Sequence, residues 1–276
     1  MRKTLMNLKK QAKIIEIMQR KNPISVKDLS IELECTEMTV RRNLDQMQEK
    51  GLLKREHGYA YLLDATKVTD YYAEENEHVK EKEVIASLAV RFIKTGMGIC
   101  LDSGTTIQKL VDIIPDHYEL SVITPSLIAA FALAKRKQIQ VLMPGGFLHH
   151  ANRSLLLDDT ASLKKFHMDL AFISCRSLQI PGGTFEYNQS LTYTKRSLAA
   201  IAEKKILLLD YSKWNVSSIF SCIPLDQIDL IISDDKTPAS CIADTERTGK
   251  ELLIVSGTDG SIVNHINSGT SGLSLD

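Results

Sequence analysis

The sequence predicts two domains: a small helical domain with a β-hairpin, followed by a larger α/β domain with a mostly parallel sheet. Three observations predict this fold class. Residues 1–63 hold 13 Lys and Arg against 8 Asp and Glu, although the 276-residue chain has a net charge of zero. The same residues contain short helical runs, and strand-like and helix-like runs alternate after residue 81. We therefore expect a basic domain at 1–63, a linker at 64–80, an α/β domain at 81–255 and a flexible tail at 256–276.

Composition limits the class of protein. Hydrophobic residues make up 43% of the chain and charged residues 25%, which is ordinary for a soluble protein. No apolar run has the length of a membrane span, and the start lacks the apolar segment of a secretory signal, so we expect a cytoplasmic protein without membrane contact. The five cysteines are widely spread and the histidines lack metal-site spacing. We therefore predict no disulfide, no metal site and no cofactor.

The basic segment begins with two predicted short helices. The apolar residues of the first helix are Leu8, Ala12, Ile15 and Met18. Asn22-Pro23 ends that run, because the residue before proline disfavours the helical conformation. Ser25, with Asp28 three residues later, predicts the capped start of a second helix that ends shortly before Thr36.

A third helix is predicted in residues 36–51, TEMTVRRNLDQMQEKG. Thr36 can cap its start and Gly51 can end it, and its buried stripe consists of Val40, Leu44 and Met47. The opposite face is expected to be polar, and consists of Glu37, Thr39, Arg41, Arg42, Asn43 and Gln46. Such side chains can reach phosphates and base edges in a DNA major groove. On this helix alone, an ordinary solvated face is the better interpretation.

The neighbouring elements favour DNA. The run LLKREHGYAYLL predicts a β-hairpin that turns at His57-Gly58 and carries Lys54, Arg55 and His57 near its tip. Two helices joined by a tight turn and followed by such a hairpin predict a winged helix-turn-helix, whose second helix reads the DNA.

Residues 8–63 resemble the N-terminal domain of the DeoR family of bacterial transcriptional regulators. The family's recognition helix usually reads TIRRDL and its hairpin usually closes with HGG, whereas this chain has Asn43 and Tyr59 at the changed positions. Neither change removes a cation, so the resemblance implies binding to double-stranded operator DNA. The implied DNA-binding residues are Ser25, Thr36, Glu37, Thr39, Arg41, Arg42, Asn43, Gln46, Lys54, Arg55 and His57.

The larger domain is predicted from alternating runs. A helix is expected at Glu81–Ile93. The strand candidates are Gly98–Asp102, Leu120–Thr124, Ile139–Met143, Asp169–Cys175, Lys205–Asp210 and Ile228–Ser233. The helices between them are expected at Ile107–Ile114, Ser126–Lys135, Ala161–Phe166 and Ser190–Lys204. This alternation is typical of parallel sheets with helical crossovers.

Small polar residues follow the first of these strands. In Asp102-Ser103-Gly104-Thr105-Thr106, hydroxyl groups and backbone N–H groups meet at a helix start, which suits a phosphate, although such residues are more often simple caps. The loop stands at the carboxyl end of a strand, where open α/β sheets bind ligands. Pro144-Gly145-Gly146 ends another strand. Lys213 follows a third strand, and Lys195 lies on the helix before it.

These pieces resemble the C-terminal sensor domain of the DeoR family, which has a Rossmann-like fold shared with ribose-5-phosphate isomerase and is thought to bind phosphorylated sugars. The resemblance implies an effector site formed by Asp102, Ser103, Gly104, Thr105, Thr106, Thr124, Gly145, Gly146, Arg176, Lys195 and Lys213. Several family positions differ, because Pro125, Ser174 and Ser177 replace usual residues and Arg176 adds a cation. The resemblance thus implies that the residues of the phosphate end are retained and that those of the sugar end differ from the family.

Two functions stay open at this point. The first is a repressor of a carbohydrate operon that responds to a phosphorylated sugar and acts as a homodimer or homotetramer. The second is an isomerase-like enzyme with a DNA-binding extension, which needs a general base in the pocket. Asp102 could serve as that base, but the carboxylates that usually follow Asn188 are absent. We therefore expect a regulator and no enzyme.

Overall fold

The computed structural model describes residues 10–11, 13–18, 21–49, 53–62, 71–159, 161–216 and 218–273. The chain divides into two compact units: an N-terminal unit, Met1–Val68 with Ser217–Ile219, and a C-terminal unit, Thr69–Val216 with Phe220–Asp276. Within the described ranges, no helix combines the length and the hydrophobicity that crossing a bilayer requires.

The N-terminal unit combines helices with a small antiparallel sheet. Its elements are a helix at described residues 10–11 and 13–18 (α1), a strand at Ile24–Ser25 (β1), helices at Val26–Glu32 (α2) and Glu37–Glu49 (α3), and strands at Leu53–Glu56 (β2) and Tyr59–Leu62 (β3). The sheet order is β1-β3-β2, with Leu53 opposite Leu62 and Ile24 opposite Ala60. The predicted hairpin is confirmed, whereas β1 was not predicted because two residues show no periodicity.

The core of this unit contains the predicted apolar stripe. Val40, Leu44 and Met47 are fully buried against α1, where Ile15 and Met18 are at most 1% exposed. These predictions are confirmed. The predictions for Leu8, Ala12 and Gly51 concern residues outside the described ranges.

The C-terminal unit follows the predicted alternation of strands and helices. Its helices are Tyr71–Glu75 (α4), Val79–Ala89 (α5), Thr105–Ile113 (α6), Leu127–Leu133 (α7), Gln189–Ala200 (α8) and Ala239–Arg247 (α9). Its main strands are Gly98–Leu101 (β4), Leu120–Ile123 (β5), Ile139–Leu142 (β6), Met168–Ile173 (β9), Ala202–Leu208 (β12), Leu230–Asp234 (β14), Glu251–Val255 (β15) and Ile262–Ile266 (β16). Short strands at Phe147–His149 (β7) and Ser154–Leu156 (β8) form a hairpin, and Ser177–Gln179 (β10), Gly183–Glu186 (β11) and Phe220–Ser221 (β13) form a second small sheet.

The main sheet has eight strands in the order β16-β15-β14-β12-β9-β4-β5-β6 and is parallel except for β16. Along the chain, β4, β5 and β6 extend the sheet in one direction, and β9, β12, β14 and β15 extend it in the other. The direction reverses between β4 and β9. Ligands of open α/β sheets bind at such a switch point, outside the carboxyl ends of the strands.

Buried apolar residues cover both faces of this sheet. One core includes Ile85 of α5, Leu110 of α6 and Leu133 of α7. The other core includes Leu198 of α8 and Cys241 of α9. The unit is thus a three-layer α/β/α domain, as the alternation of runs predicted.

Four predictions about this unit were wrong. The predicted linker includes α4 and the start of α5, and Tyr71 of α4 is only 3% exposed. The predicted helix at 161–166 is only a short 3₁₀ turn, Ala161–Leu163. The predicted helix at 190–204 stops at Ala200, because residues from Ala202 on pair with β9 and the tertiary pairing overrides local helix propensity. The tail was expected to be flexible, but β16 pairs with β15 along its length.

Candidate nucleic-acid interface and effector pocket

The predicted recognition helix, α3, begins at the expected cap. The backbone N–H of Thr39 donates to Oγ1 of Thr36 at 3.3 Å, which satisfies one of the free donors of the first turn. Arg41 and Arg42 are exposed, and Arg41 forms an ion pair with Glu37 one turn earlier at 3.2 Å. The outer face of α3 therefore presents two cations on a rigid helix.

Two residues assigned to that face do not lie on it. Asn43 is 3% exposed, and its Nδ2 donates to the Thr39 carbonyl oxygen at 2.8 Å. Gln46 is half-buried, and its Oε1 accepts from Nε2 of Gln11 at 3.0 Å. The reason for Asn43 is helical geometry, since positions 40, 43, 44 and 47 follow the i, i+3, i+4, i+7 spacing of one buried stripe.

The other residues predicted to contact DNA differ in their exposure and in their partners. Ser25 caps α2, because its Oγ accepts from the Asp28 N–H at 3.0 Å. Lys54 and His57 are exposed on the hairpin. The Arg55 side chain is 22% exposed and pairs with Asp45 of α3, so it stabilises the hairpin against the helix instead of standing free at the tip.

The second candidate site is a cavity at the switch point of the sheet. Three loops converge there because they follow the adjacent strands β4, β9 and β12: residues 102–106, residues 174–176 and residues 209–213. The start of α4, the β7–β8 hairpin and the β11–α8 connection complete the walls. The centre of a water-sized sphere can occupy about 60 Å³ of this cavity.

The loop after β4 places small polar groups at the start of α6. Ser103, Thr105 and Thr106 are at most 6% exposed and line the cavity. Gly104 has a φ of +151°, and a Cβ at this position would lie 2.7 Å from Oγ of Ser174, so only glycine fits. The first N–H groups of a helix have no acceptor within that helix, and they carry the positive end of its dipole.

A buried charge cluster forms the floor of the cavity. Nζ of Lys195 lies 2.9 Å from Oδ2 of Asp102, 2.7 Å from Oε1 of Glu186 and 2.7 Å from the carbonyl oxygen of Ser174. Oδ2 of Asp102 also accepts from the Ser174 backbone N–H at 3.0 Å and from its hydroxyl at 2.9 Å. All three charged side chains are less than 7% exposed.

Burial and pairing shift the acidity of this cluster. Burial opposes the charge of Lys195, but the carboxylates of Asp102 and Glu186 hold the pKa of Lys195 well above its ordinary value. Burial raises the pKa of Glu186, and this effect exceeds the lowering by Lys195.

The mouth of the cavity carries two further cations. Nη1 of Arg176 and Nζ of Lys213 lie 3.2 Å and 3.4 Å from the same carboxylate oxygen, Oε1 of Glu74. Nδ2 of Asn152, which also lines the cavity, lies 3.5 Å from Oγ of Ser103. The cavity therefore has hydroxyl and N–H groups at a helix start and two cations, paired with Glu74, at its mouth.

Seven of the eleven residues predicted for the effector site line this cavity: Ser103, Gly104, Thr105, Thr106, Arg176, Lys195 and Lys213. The other four do not. Asp102 is fully buried beneath the loop, and Oγ1 of buried Thr124 accepts from the Ser126 N–H. Gly145 and Gly146 are exposed, and a Cβ on Gly146 would lie 2.0 Å from the Leu156 carbonyl oxygen, so this glycine permits close packing against β8.

Sequence reasoning missed two acidic residues of the cavity. Glu186 is the last residue of β11 and precedes Asn188, after which the carboxylates usual in the family are absent. Glu74 lies in the segment that was predicted to be a linker. The nearby Tyr71-Tyr72 pair could have indicated a packed element there, since aromatic side chains are unusual in a solvated connection. In the described part of the chain, no three His, Cys, Asp or Glu residues are placed to share a metal ion, and the five cysteines are free thiols.

Two families of known domains match this chain. Residues 10–66 match the DeoR-like helix-turn-helix domain, and residues 77–235 match the DeoR C terminal sensor domain. The second match covers more than half of the chain. The chain belongs to the DeoR family of transcriptional regulators. The family resemblance and the two-part fold predicted from the sequence are thereby confirmed.

Three curated regulators illustrate the similarity. The HTH-type transcriptional regulator GolR of Listeria innocua is 32% identical, over 82% of this chain and 90% of its own length. The L-fucose operon activator of Escherichia coli is 29% identical, over 86% and 99%. The glycerol-3-phosphate regulon repressor of Escherichia coli is 23% identical, over 82% and 90%.

A solved structure is more remotely similar. Ribose 5-phosphate isomerase A of Methanocaldococcus jannaschii aligns with 48% of this DeoR-family chain and 53% of its own, with a TM-score of 0.37 and 17% sequence identity. This likeness concerns the fold alone.

Proposed function

We propose that this DeoR-family regulator represses a carbohydrate operon and that a phosphorylated sugar, or a related phosphorylated metabolite, binds in the cavity of the C-terminal unit. The observation that carries the proposal is the hydroxyl-lined start of α6 at the switch point of the sheet. A phosphate there receives hydrogen bonds from helix N–H groups and from Ser103, Thr105 and Thr106. Lys213 and Arg176 add charge from the mouth.

The cavity also has a place for the rest of the ligand. Glu186 and Asn152 also line the cavity and offer further hydrogen-bonding groups, which suits hydroxyl groups of a sugar. The names of two relatives, an L-fucose operon activator and a glycerol-3-phosphate regulon repressor, support a role in carbohydrate metabolism, and the second supports repression.

DNA binding is assigned to the outer face of α3 and to the hairpin. Arg41 and Arg42 supply phosphate contacts, and Thr36, Glu37 and Thr39 stand at the start of the helix, where recognition helices meet base edges. Lys54 and His57 reach DNA from the hairpin. As a DNA-binding regulator, the protein would act in the cytoplasm.

A homodimer or homotetramer is also part of the proposal, because helix-turn-helix proteins read two-fold operators as pairs. Helix α5 has Ile85 and Leu88 buried in the core of its own unit, and Phe92 of the 3₁₀ turn after it is buried there as well. Phe131 and Phe147, 72% and 71% exposed, are better candidates for a contact between subunits. Light scattering on the full chain tests this point, and a monomer at micromolar concentration contradicts it.

The isomerase-like enzyme is the competing proposal, and Glu186 is the observation that favours it, since it places a carboxyl group with a raised pKa in the cavity. Asp102, the base considered from the sequence, is held by Lys195 and Ser174 beneath the loop. The names of the relatives, which are regulators, favour a binding role without turnover.

Calorimetry with sugar phosphates and the matching unphosphorylated sugars tests the function of the cavity. We expect binding of at least one phosphorylated compound, and weaker binding by Thr105→Val and Lys213→Ala. Equal binding of the unphosphorylated sugar contradicts a phosphate site, and steady conversion of an aldose phosphate to a ketose phosphate supports the enzyme instead.

A further inference from the structure

The cavity already contains a carboxylate at its mouth. Oε1 of Glu74 lies 3.2 Å from Nη1 of Arg176 and 3.4 Å from Nζ of Lys213, so one oxygen bridges both cations. The three side chains are 25%, 17% and 17% exposed, which leaves the contact only partly open to solvent. Glu74 comes from α4 and not from the loops at the strand ends.

An incoming phosphate that used Arg176 and Lys213 would meet this carboxylate. Like charges at contact distance repel strongly where water is partly excluded. A phosphate dianion brings two negative charges to a place where Glu74 already supplies one. Phosphate and the Glu74 carboxylate are therefore alternatives for the same two cations.

Helix α4 is a short element with several polar attachments. It has five residues, and the Tyr71 N–H donates to the Ala151 carbonyl oxygen at 2.7 Å. Nζ of buried Lys82 donates to the Glu77 carbonyl oxygen at 2.7 Å and to that of Glu74. Of these polar attachments, the pairs of the Glu74 carboxylate are the ones for which an anion competes.

We infer that Glu74 is an internal competitor of the effector, and that binding of a phosphorylated ligand displaces its carboxylate and loosens α4. This inference rests on the proposed phosphate site. In the sequence, α4 begins soon after Val68, where the first segment of the N-terminal unit ends. Displacing Glu74 therefore acts on a helix close to that boundary, and gives the ligand a route to the DNA-binding unit.

Hydrogen exchange on the full chain, combined with calorimetry using inorganic phosphate, tests the inference. Glu74→Gln removes the charge but keeps a side chain of nearly the same shape. Without any ligand, we expect about tenfold faster exchange in residues 71–75, the factor that one charge-assisted hydrogen bond contributes. Phosphate should bind about tenfold more tightly to this variant, because the competing docked state is lost. Glu77→Gln, an exposed neighbour with the same change of charge, should match the wild type.

In the wild-type chain, ribose 5-phosphate should slow exchange in residues 103–108 and accelerate it in residues 71–75, whereas ribose should do neither. Slower exchange in both segments would mean that α4 closes over the ligand, and would overturn the inference. Phosphate binding that is equal or weaker in Glu74→Gln would overturn it as well. Absence of phosphate binding in both chains would instead refute the phosphate site itself.

Discussion

Removing Lys195 should destabilise the C-terminal unit by several kcal/mol. Its ammonium group lies 2.9 Å from Asp102 and 2.7 Å from Glu186, and the three side chains are 6%, 0% and 3% exposed. Replacing Lys195 by Ala leaves the buried carboxylates without a compensating cation. Breaking a buried pair in this way typically costs about 3–5 kcal/mol, because the remaining charge is neither solvated nor paired.

Denaturant unfolding of Lys195→Ala at two pH values measures this loss and its origin. Lower pH protonates a stranded carboxylate and removes the unpaired charge, so the loss should shrink from neutral to mildly acidic pH. Lys109→Ala is the matched control, because Lys109 and Glu83, which pair at 3.2 Å, are 25% and 55% exposed and so much more open to solvent, and it should cost less than about 1 kcal/mol. A loss at Lys195 as small as that of the control, or one that does not change with pH, would refute the charge-cluster argument.

Three further predictions concern other parts of the chain. Replacing both Arg41 and Arg42 by Ala should reduce the slope of log affinity against log salt by about 1.8, because two phosphate contacts are lost. Replacing the exposed Arg247 by Ala is the control and should leave the slope unchanged. An unchanged slope in the double variant would show that these arginines are not in the interface. Asn43→Ala should lower stability by about 1 kcal/mol and keep the salt slope, because the side chain is buried and bonded to its own helix; a normal melting curve with altered DNA affinity would contradict this. The stability of the wild type should fall as the pH rises, and Glu186→Gln should abolish this fall. Burial raises the pKa of Glu186, so the native state keeps a proton that the unfolded chain releases, and stability falls as pH rises from the ordinary value of 4.5 through the raised one. Parallel melting curves of the two chains across that pH range would contradict the assignment.

Local patterns in the sequence were sufficient for much of the fold. The cap at Thr36 and the stripe of Val40, Leu44 and Met47 depend on helical period alone, and they were correctly predicted. The same period also places Asn43 on the buried stripe, but its polarity suggested the outer face. A buried asparagine that bonds to its own backbone is a case where geometry outweighs residue type.

The candidate site was predictable only where a loop follows a strand. Residues 103–106 and Lys213 could be placed because the carboxyl ends of parallel strands share one edge of the sheet. Glu186 and Glu74 reach the cavity from a side hairpin and from α4, and their position depends on tertiary packing that no local period encodes. The pairing of β16 with β15 was hidden in the same way, because its apolar residues stand among Gly and Ser.

The most direct test of the central claim is one titration. A DNA fragment that the full chain selects from sheared genomic DNA is labelled, and its affinity is measured by fluorescence anisotropy with and without the sugar phosphate that binds best in calorimetry. The account predicts that the phosphorylated sugar changes the affinity by a fixed factor at saturation, that the unphosphorylated sugar has no effect, and that Lys213→Ala weakens the response while leaving ligand-free DNA binding intact. A DNA affinity that stays the same at saturating sugar phosphate would contradict the claim that this cavity controls the DNA-binding unit.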